Sequence, residues 1–260
     1  MKNSIHSTAL VDKKANIGPQ VTVGPYTVIG PGVQIGKNSK ISNHVTIGGD
    51  TQIGERCVIS PGACLGMPPQ MKKKNFTETS LRVGDDNIIR EYVTMSTGII
   101  AGSKTSVGNR NYFMTGVHIA HDCVIGSDIT VANSAAFAGH VIVEDQAVIS
   151  GFVGVHQFVR VGKLSLIGGL SKVVSDVPPY SICDGHPARF YGINSVGLKR
   201  AGISSAEALM IRKILRTLLK RGSRMTEEFP KIQKEFKGNP HMELIVSFLK
   251  KSERGVCRVE

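Results

Sequence analysis

Half of the histidines in this sequence lie in one short stretch of the chain. Imidazole titrates close to neutral pH, so it can act as a general base, and it is also a common ligand of Zn²⁺. An Asp directly after a His favours the general base, because a carboxylate can orient the ring. Four of the eight histidines fall between residues 118 and 156, with an aspartate and a glutamine beside them: His118, His121, Asp122, His140, His156 and Gln157.

An apolar residue at every sixth position indicates how the chain positions these side chains. The series runs in one phase from Ile5 to Leu65, resumes at Val83, and continues from Val107 to Val173. Residues six apart do not share one face of an α-helix, but they stack in a solenoid whose triangular coil holds three hexads, about 18 residues. The sequence therefore predicts a mainly β fold, a parallel β-helix shaped as a triangular prism.

Two other hexad positions carry a signal. The residue after the aliphatic one is often Gly, as at Gly24 and Gly36, which predicts positive φ angles at the corners of the coil. The fifth position is small, as at Cys57 and Cys123, which predicts that it packs inward.

A coil of about 18 residues gathers the polar group onto one edge of the prism. Asp122 then lies beneath His140, and His121 lies beneath Gly139. None of the six polar residues takes an inward position, so their side chains point outward. Outward side chains of stacked coils diverge, which disfavours a zinc site unless a second subunit closes it. At this point both a general base and a zinc ligand are open interpretations.

The repeat is interrupted twice and then ends near Asp176. Segments 67–82 and 97–106 break the phase and predict loop excursions. Beyond the repeat the apolar period becomes helical, and Ser204 with Glu207 predicts a capping box at a helix start. We assign residues 1–190 to the β-helix and residues 191–260 to a small basic α-helical domain.

The positive charge is concentrated in that C-terminal part. Residues 195–260 contain 15 basic and 7 acidic residues, a net of +8 out of +12 for the chain. This imbalance fits either a solvated basic surface or an acidic partner, such as an acidic protein or a phosphorylated small molecule. An aromatic content of 5% without Trp, and the lack of a groove-reading motif, argue against nucleic acid. We expect no signal peptide and no membrane-spanning segment, and therefore a cytoplasmic location.

Several strings of residues resemble one enzyme family from end to end of the chain. They are the hexapeptide repeats, His118-Ile-Ala-His121-Asp122-Cys, Ala138-Gly139-His140-Val, Val155-His156-Gln157-Phe, Asp176-Val-Pro-Pro-Tyr and Gly197-Leu-Lys-Arg200. They are similar to those of the acyl-carrier-protein-dependent UDP-N-acetylglucosamine O-acyltransferases of lipid A biosynthesis. The resemblance implies a left-handed β-helix, which departs from the right-handed crossover rule, and a homotrimer with active sites between subunits.

The resemblance also implies roles for individual residues. His121 would be the general base, Asp122 would hold or polarise it, and the backbone N–H of Gly139 would face the oxyanion. The donor would be acyl carrier protein carrying a 3-hydroxyacyl chain on 4′-phosphopantetheine, with no other cofactor and no metal. Substrate contacts would come from Gln70, Lys73, His118, His140, His156, Gln157, Asn194 and Arg200, and Gly169 would lie where the acyl pocket is limited.

The sequence departs from the family pattern at several of these sites. The family loop commonly reads Gln-Asp-Leu-Lys, whereas this chain has Gln70-Met71-Lys72-Lys73. Met95-Ser96-Thr97-Gly98 replaces a common Ile-His-Arg-Gly, Val196 replaces a common Glu, and Ala201 a common Arg. The base is intact, but the acceptor stays open between the 3-hydroxy sugar nucleotide and a 3-amino analogue.

Other functions also fit the pattern. A sister N-acyltransferase of the same pathway shares the repeats but typically carries an additional N-terminal domain. A trimeric zinc enzyme resembling γ-carbonic anhydrase would hold tightly bound zinc. A β-helical module that only binds would lose nothing when His121 is replaced.

Overall fold

The computed structural model describes residues 3–72 and 77–259, and its secondary structure is mostly short strands. The strands are β1 (Ser4–Ile5), β2 (Leu10–Val11), β3 (Asn16–Ile17), β4 (Thr22–Val23), β5 (Val28–Ile29), β6 (Gln34–Ile35), β7 (Lys40–Ile41), β8 (Thr46–Ile47), β9 (Asp50–Ile53), β10 (Val58–Ile59), β11 (Cys64–Met67), β12 (Ser80–Val83), β13 (Ile88–Ile89), β14 (Thr94–Ser96), β15 (Lys104–Val107), β16 (Tyr112–Phe113), β17 (His118–Ile119), β18 (Val124–Ile125), β19 (Thr130–Val131), β20 (Ala136–Phe137), β21 (Ile142–Val143), β22 (Val148–Ile149), β23 (Gly154–Val155), β24 (Arg160–Val161), β25 (Leu166–Ile167), β26 (Lys172–Val173), β27 (Ser181–Gly185) and β28 (Ala188–Ile193). The helices are α1 (Ser195–Arg200), α2 (Ser205–Leu219), α3 (Met225–Glu235) and α4 (Pro240–Lys250).

The strands form a parallel β-helix. Along the coil, strand β1 pairs with β4 and β4 with β7, so that every third strand joins the same sheet. The described residues form three such sheets, of 11, 9 and 8 strands, and only the last pair, β27 with β28, is antiparallel. Ser4 lies opposite Thr22, so one coil contains three hexads, as the phase of the repeat predicts.

The interior of the prism is a continuous stack of apolar side chains. Ile29, Ile47 and Phe137 are at most 1% exposed, as expected for the first hexad position. The small fifth position also points inward, and Cys57 and Cys123 are completely buried. Because the coils stack in register, outward side chains at equivalent positions of successive coils form fixed columns.

The predicted reason for the repeated glycines, a positive φ angle at the corners, is wrong. Positive φ angles occur three residues after the aliphatic position, mostly at residues other than glycine, such as Asn38 (φ 62°) and Tyr92 (φ 56°). Gly24 and Gly36, directly after the aliphatic residue, are instead pressed against the next coil. A Cβ on Gly36 would lie 2.5 Å from the carbonyl carbon of Gly54. These glycines allow the backbones to approach closely.

The loop excursions are shorter than the sequence indicates. Ile59 pairs with Ile41 in the coil before it and with Ile89 in the coil after it, so the first excursion, between β11 and β12, lengthens its coil by two hexads. The second lies between β14 and β15, and the pairing of Met95 with Ile119 shows that it adds one hexad. Residues 80–82 and 104–106 belong to strands because Leu81 and Thr105 are completely buried in the stack.

The helical region continues from the last coil. The repeat extends beyond Asp176, because β27 pairs in parallel with β25, and the expected boundary at residue 190 falls inside β28. Helix α2 has the predicted capping box of Ser204 and Glu207. The sequence did not indicate α1, a single short helix that Asn194 caps.

Candidate active site

One corner of the β-helix carries a column of stacked polar and aromatic side chains. Asp122, His140 and Phe158 follow β17, β20 and β23 at equivalent positions of three successive coils. All three adopt the left-handed corner conformation, with φ angles of 57°, 60° and 64°. The identical backbone geometry places the three side chains one above another, so they contact each other along the axis of the prism.

His121 and Asp122 form a hydrogen-bonded pair at this corner. The distance between His121 Nδ1 and Asp122 Oδ2 is 2.9 Å, and each side chain is about nine-tenths buried. The Asp122 backbone N–H donates to Thr105 Oγ1 at 2.8 Å, which anchors the turn. When Nδ1–H donates its hydrogen bond to the carboxylate, Nε2 of the neutral ring is left with a free lone pair. The pair is therefore built to take up a proton at Nε2.

Gly139 lies directly against the His121 ring. A Cβ at residue 139 would overlap Cε1 and Nε2 of the imidazole, so only glycine fits. Within the described residues, the Gly139 N–H donates no hydrogen bond, although its carbonyl accepts one from Phe158. At the same hexad position, other coils have proline, which has no N–H: Pro19, Pro25, Pro31 and Pro61. The Gly139 N–H is thus not needed for stacking and is available beside Nε2.

His140 completes the cluster from the coil above. Its Nε2 lies 3.9 Å from Asp122 Oδ2, and its ring meets His121 edge-on with 5.1 Å between centroids. One ligand atom from each of His121, Asp122 and His140 can be chosen so that all three lie within 4.8 Å of one another. The cluster therefore offers the three ligands of a zinc site as well as a base with its orienting acid.

A groove of about 540 Å³ opens beside this pair and is lined by half of the predicted site residues. His118, on the groove wall, is within 2.7 Å of Thr94 Oγ1 through Nδ1, and burial lowers its pKa from the usual value, so the ring is neutral at pH 7. Predicted residues that line the groove are Gln70, His118, His121, Gly139, His156 and Gln157.

The groove also contains residues that the sequence reasoning missed. In one sheet, the outward residues between His118 and Lys172 are the small residues Ala136 and Gly154. They form the shallow floor of the groove. Lys172 closes the end of this floor with a positive charge. It lies three coils above His118, so counting in whole coils would have identified it.

The two excursions meet at the lower end of the groove. Thr79 Oγ1 donates to Thr97 Oγ1 at 3.0 Å, and both side chains are buried. This bond joins the loop that carries Gln70 to the segment that carries Ser96, where the chain departs from its family. Lys73, a predicted contact, lies outside the described residues.

Five predicted residues do not line the groove of their own chain. Two of them, Asp122 and His140, contact His121 from outside the groove lining, and the other three lie further away. Gly169 lies at another corner, above Gly151. Asn194 is 3% exposed, and its side chain is bonded to Leu164 and Gly197 as the cap of α1. Arg200 is exposed at the end of that helix. None of the helices in the described ranges has the length and apolarity needed to cross a membrane.

A hexapeptide β-helix whose groove is lined by an imidazole that a carboxylate holds, and by a free backbone N–H, defines a transferase of the hexapeptide-repeat class. A family described as bacterial transferase hexapeptide (six repeats) matches residues 14–49 and 32–66, and one described as UDP N-acetylglucosamine O-acyltransferase, domain 2, matches residues 176–257. The chain belongs to the UDP-N-acetylglucosamine acyltransferase family, on the strength of these matches and of the solved relatives below.

Solved relatives match over the whole chain. The UDP-N-acetylglucosamine acyltransferase of Bacteroides fragilis is 38% identical with a TM-score of 0.94, over 97% of this chain and 99% of that one. The enzyme of Francisella novicida is 39% identical with a TM-score of 0.94, over 98% and 94%. They confirm the predicted fold class, a left-handed parallel β-helix with C-terminal helices.

Curated relatives align over a shorter segment. The acyl-[acyl-carrier-protein]–UDP-N-acetylglucosamine O-acyltransferase of Alkalilimnicola ehrlichii is 43% identical over 133 residues, which is 51% of this chain and 52% of the relative. In these alignments the chain spans about half the length of the curated relatives that it matches.

Proposed function

We propose that this protein transfers a 3-hydroxyacyl chain from acyl carrier protein to the 3-position of UDP-N-acetylglucosamine, the first step of lipid A biosynthesis. The observation that carries the proposal is the position of His121, with Nδ1 held by Asp122 and the ring against Gly139. The names of the family's curated members describe the same donor and acceptor.

The chemistry follows from this geometry. Nε2 of His121 removes the proton from the sugar hydroxyl as the oxygen attacks the thioester carbonyl. The negative oxygen of the tetrahedral intermediate accepts a hydrogen bond from the Gly139 N–H. Collapse of the intermediate breaks the carbon–sulfur bond, and the sulfur receives the proton from the His121 imidazolium. The products are the 3-O-acyl sugar nucleotide and the free phosphopantetheine thiol of the carrier protein.

Charge and groove composition support the two substrates. The groove supplies hydrogen-bonding groups for the sugar nucleotide at Gln70, His118 and Gln157, and a cation at Lys172. The basic helical region offers a docking surface for an acidic carrier protein. The only cofactor that we expect is the phosphopantetheine of that donor, and we place the reaction in the cytoplasm.

We further propose a homotrimer with active sites between subunits. A second corner of the prism exposes large apolar side chains, each on a residue with a left-handed backbone conformation. Monomeric proteins rarely expose such a row. Gly169 lies next to Leu170 in this row, so a neighbouring subunit that covers the row would bring Gly169 to its own groove. The exposed residues are Tyr26 (61%), Tyr92 (68%), Phe152 (64%) and Leu170 (74%).

The test is a transfer assay with the His121→Ala protein. We expect acyl transfer to fall by about 10²-fold or more, because a positioned base supplies ~10² to 10⁴ in rate. His6→Ala, which removes an exposed histidine far from the groove, is the matched control. Unchanged turnover in His121→Ala would refute the assignment and favour a module that only binds.

Donor and acceptor are tested in the same assay. Acyl carrier proteins with several chain lengths are offered with UDP-N-acetylglucosamine and with its 3-amino analogue. Turnover with the hydroxyl sugar supports the O-acyltransferase, whereas turnover restricted to the amino analogue assigns the chain to N-acylation at the same position.

A zinc hydratase is the second candidate, because His121, Asp122 and His140 offer three ligand atoms within 4.8 Å. Zinc bound by all three groups would displace the proton shared by His121 and Asp122. Metal analysis of the purified protein distinguishes the two functions. Stoichiometric zinc with carbon dioxide hydration would support the hydratase, whereas acyl transfer that persists after chelation supports the base.

A further inference from the structure

Phe158 is an exposed aromatic residue whose ring lies on a histidine of the active site. Its ring and that of His140 are nearly parallel, with an angle of 8° and 4.7 Å between centroids. Phe158 is 53% exposed, so burial alone does not explain a phenylalanine at this corner. Its ring stacks on His140 in the coil beneath it.

No hydrogen bond holds the His140 side chain. Within residues 3–72 and 77–259 it makes none, and about a third of it is exposed. Besides the stack, its Nε2 approaches Asp122 Oδ2 to 3.9 Å and its ring meets His121 edge-on. Without the stack, rotation about the side-chain bonds would take the ring away from both partners.

The position of His140 matters to the base pair. Asp122 Oδ2 lies between two imidazoles, at 2.9 Å from His121 Nδ1 and 3.9 Å from His140 Nε2. His140 thus closes the open side of the carboxylate and restricts the directions in which Oδ2 can turn. A carboxylate free to rotate would orient His121 less well, and small misplacements of a catalytic group reduce rates strongly.

We propose that Phe158 is a positioning residue for acyl transfer: its ring fixes the plane of His140, and His140 in turn holds Asp122 and His121 in register. Only the kinetic consequence of this inference rests on the proposed function. The stacking itself is a property of the free protein and is measured without substrate.

The kinetic test compares Phe158→Leu with Phe158→Tyr. Leucine keeps apolar bulk but loses the flat ring, and we expect kcat to fall about tenfold, within the range that misplacement of a catalytic group costs. KM for the sugar nucleotide should stay within about twofold, because the groove is unchanged. Tyrosine keeps the stack and should retain wild-type kcat. Unchanged kcat in Phe158→Leu would overturn the proposal.

Tyr191→Leu is the control. Tyr191 is also an exposed aromatic residue, at 83%, but it lies on β28, outside the groove and outside the row of exposed apolar residues at the second corner. We expect full kcat and the same melting temperature in this variant. Equal losses in both leucine variants would show that the loss of any exposed ring has this effect, and would also overturn the proposal.

A spectroscopic measurement separates this inference from the proposed function. The ring current of Phe158 should shift the His140 carbon-bound ring protons upfield in NMR spectra of the free protein, with His140→Gln used for assignment. The shift should persist in Phe158→Tyr and disappear in Phe158→Leu. A wild-type shift without any acyl transfer would refute the proposed function alone, whereas the same shift in Phe158→Leu refutes the positioning role.

Discussion

The imidazole of His121 occupies the space in which a side chain at residue 139 would lie. The two residues belong to successive coils, so the stacking register of the β-helix brings the ring beside the Gly139 N–H, which has no partner in the described chain. The register of the fold therefore fixes the distance between the base and the proposed oxyanion donor. Adding one methyl group at residue 139 tests this relationship.

Gly139→Ala should fold but lose most of its activity. The added methyl group would displace the His121 ring, and a shift of about 1 Å in a catalytic group can cost ~10² in rate. Gly151→Ala is the matched control, because Gly151 has the same hexad position and its Cβ would meet only an ordinary contact at 3.4 Å. Steady-state kcat and thermal melting are measured for both. Comparable kcat in the two variants would contradict the geometry.

Asp122→Asn should lower kcat by about 10²-fold, because the amide cannot stabilise the imidazolium that forms at His121 and can hold the wrong tautomer. Asp128→Asn is the control: Asp128 has the same corner conformation, with φ of 60°, but pairs with Arg110 away from the groove. We expect KM to change little in Asp122→Asn. An active Asp122→Asn enzyme would mean that His121 needs no orienting charge.

His118 should titrate below the usual histidine pKa of about 6.5, because burial disfavours its charged form. The unfolded chain then binds more protons than the folded one between the lowered pKa and ~6.5, so stability falls as the pH drops through this window. NMR titration of the ring gives the pKa directly. In His118→Gln the loss of melting temperature between pH 7.5 and pH 5.5 should be smaller, and an unchanged loss would contradict the assignment.

Ser204→Ala should destabilise the helical region by about 1 kcal/mol, the usual cost of losing a helix N-cap. The Ser204 side chain accepts the Glu207 N–H, and Glu207 reaches back to the Ser204 N–H. Ser205→Ala, one residue further and not part of the cap, is the control. Urea unfolding measures both. Equal stability of the two variants would show that the cap contributes nothing.

Gly36→Ala should lower stability by about 1 to 3 kcal/mol, the range for overpacking a close contact. The methyl group would meet the backbone of Gly54 in the next coil, whereas Gly192→Ala has no heavy atom within 4 Å. Thermal melting compares the two. If Gly36→Ala were as stable as Gly192→Ala, the repeated glycines would not be explained by close approach of the coils.

The hexad phase makes the stacking predictable because each inward position must meet its equivalent in the next coil. The phase alone predicts that Asp122 lies beneath His140 and His121 beneath Gly139. The same phase says little about backbone angles, so the reason predicted for the glycines after the aliphatic residues is wrong. Helix α1 was missed because six residues with an internal glycine show no helical period.

The site was less predictable where contacts depend on side-chain direction. Asn194 was expected near the nucleotide, but its amide donates to the Leu164 carbonyl, far earlier in the chain. The stack of Phe158 on His140 is a second contact of this kind, because spacing gives the column but not the tilt of a ring. Lys172 was within reach of the sequence, since it belongs to the His118 column.

The first excursion adds two hexads and the second adds one, yet Leu65 lies opposite Met95 and Met95 opposite Ile119, so the stack continues unchanged on both sides. Whole hexads can be inserted without altering the phase of later coils. The first excursion can therefore change in length by whole hexads without a shift in the register that places Asp122 beneath His140. Met71, Ser96 and Thr97, three of the residues that depart from the family pattern, lie in or next to these excursions, where whole-hexad changes in length leave the stacking of the later coils unaltered.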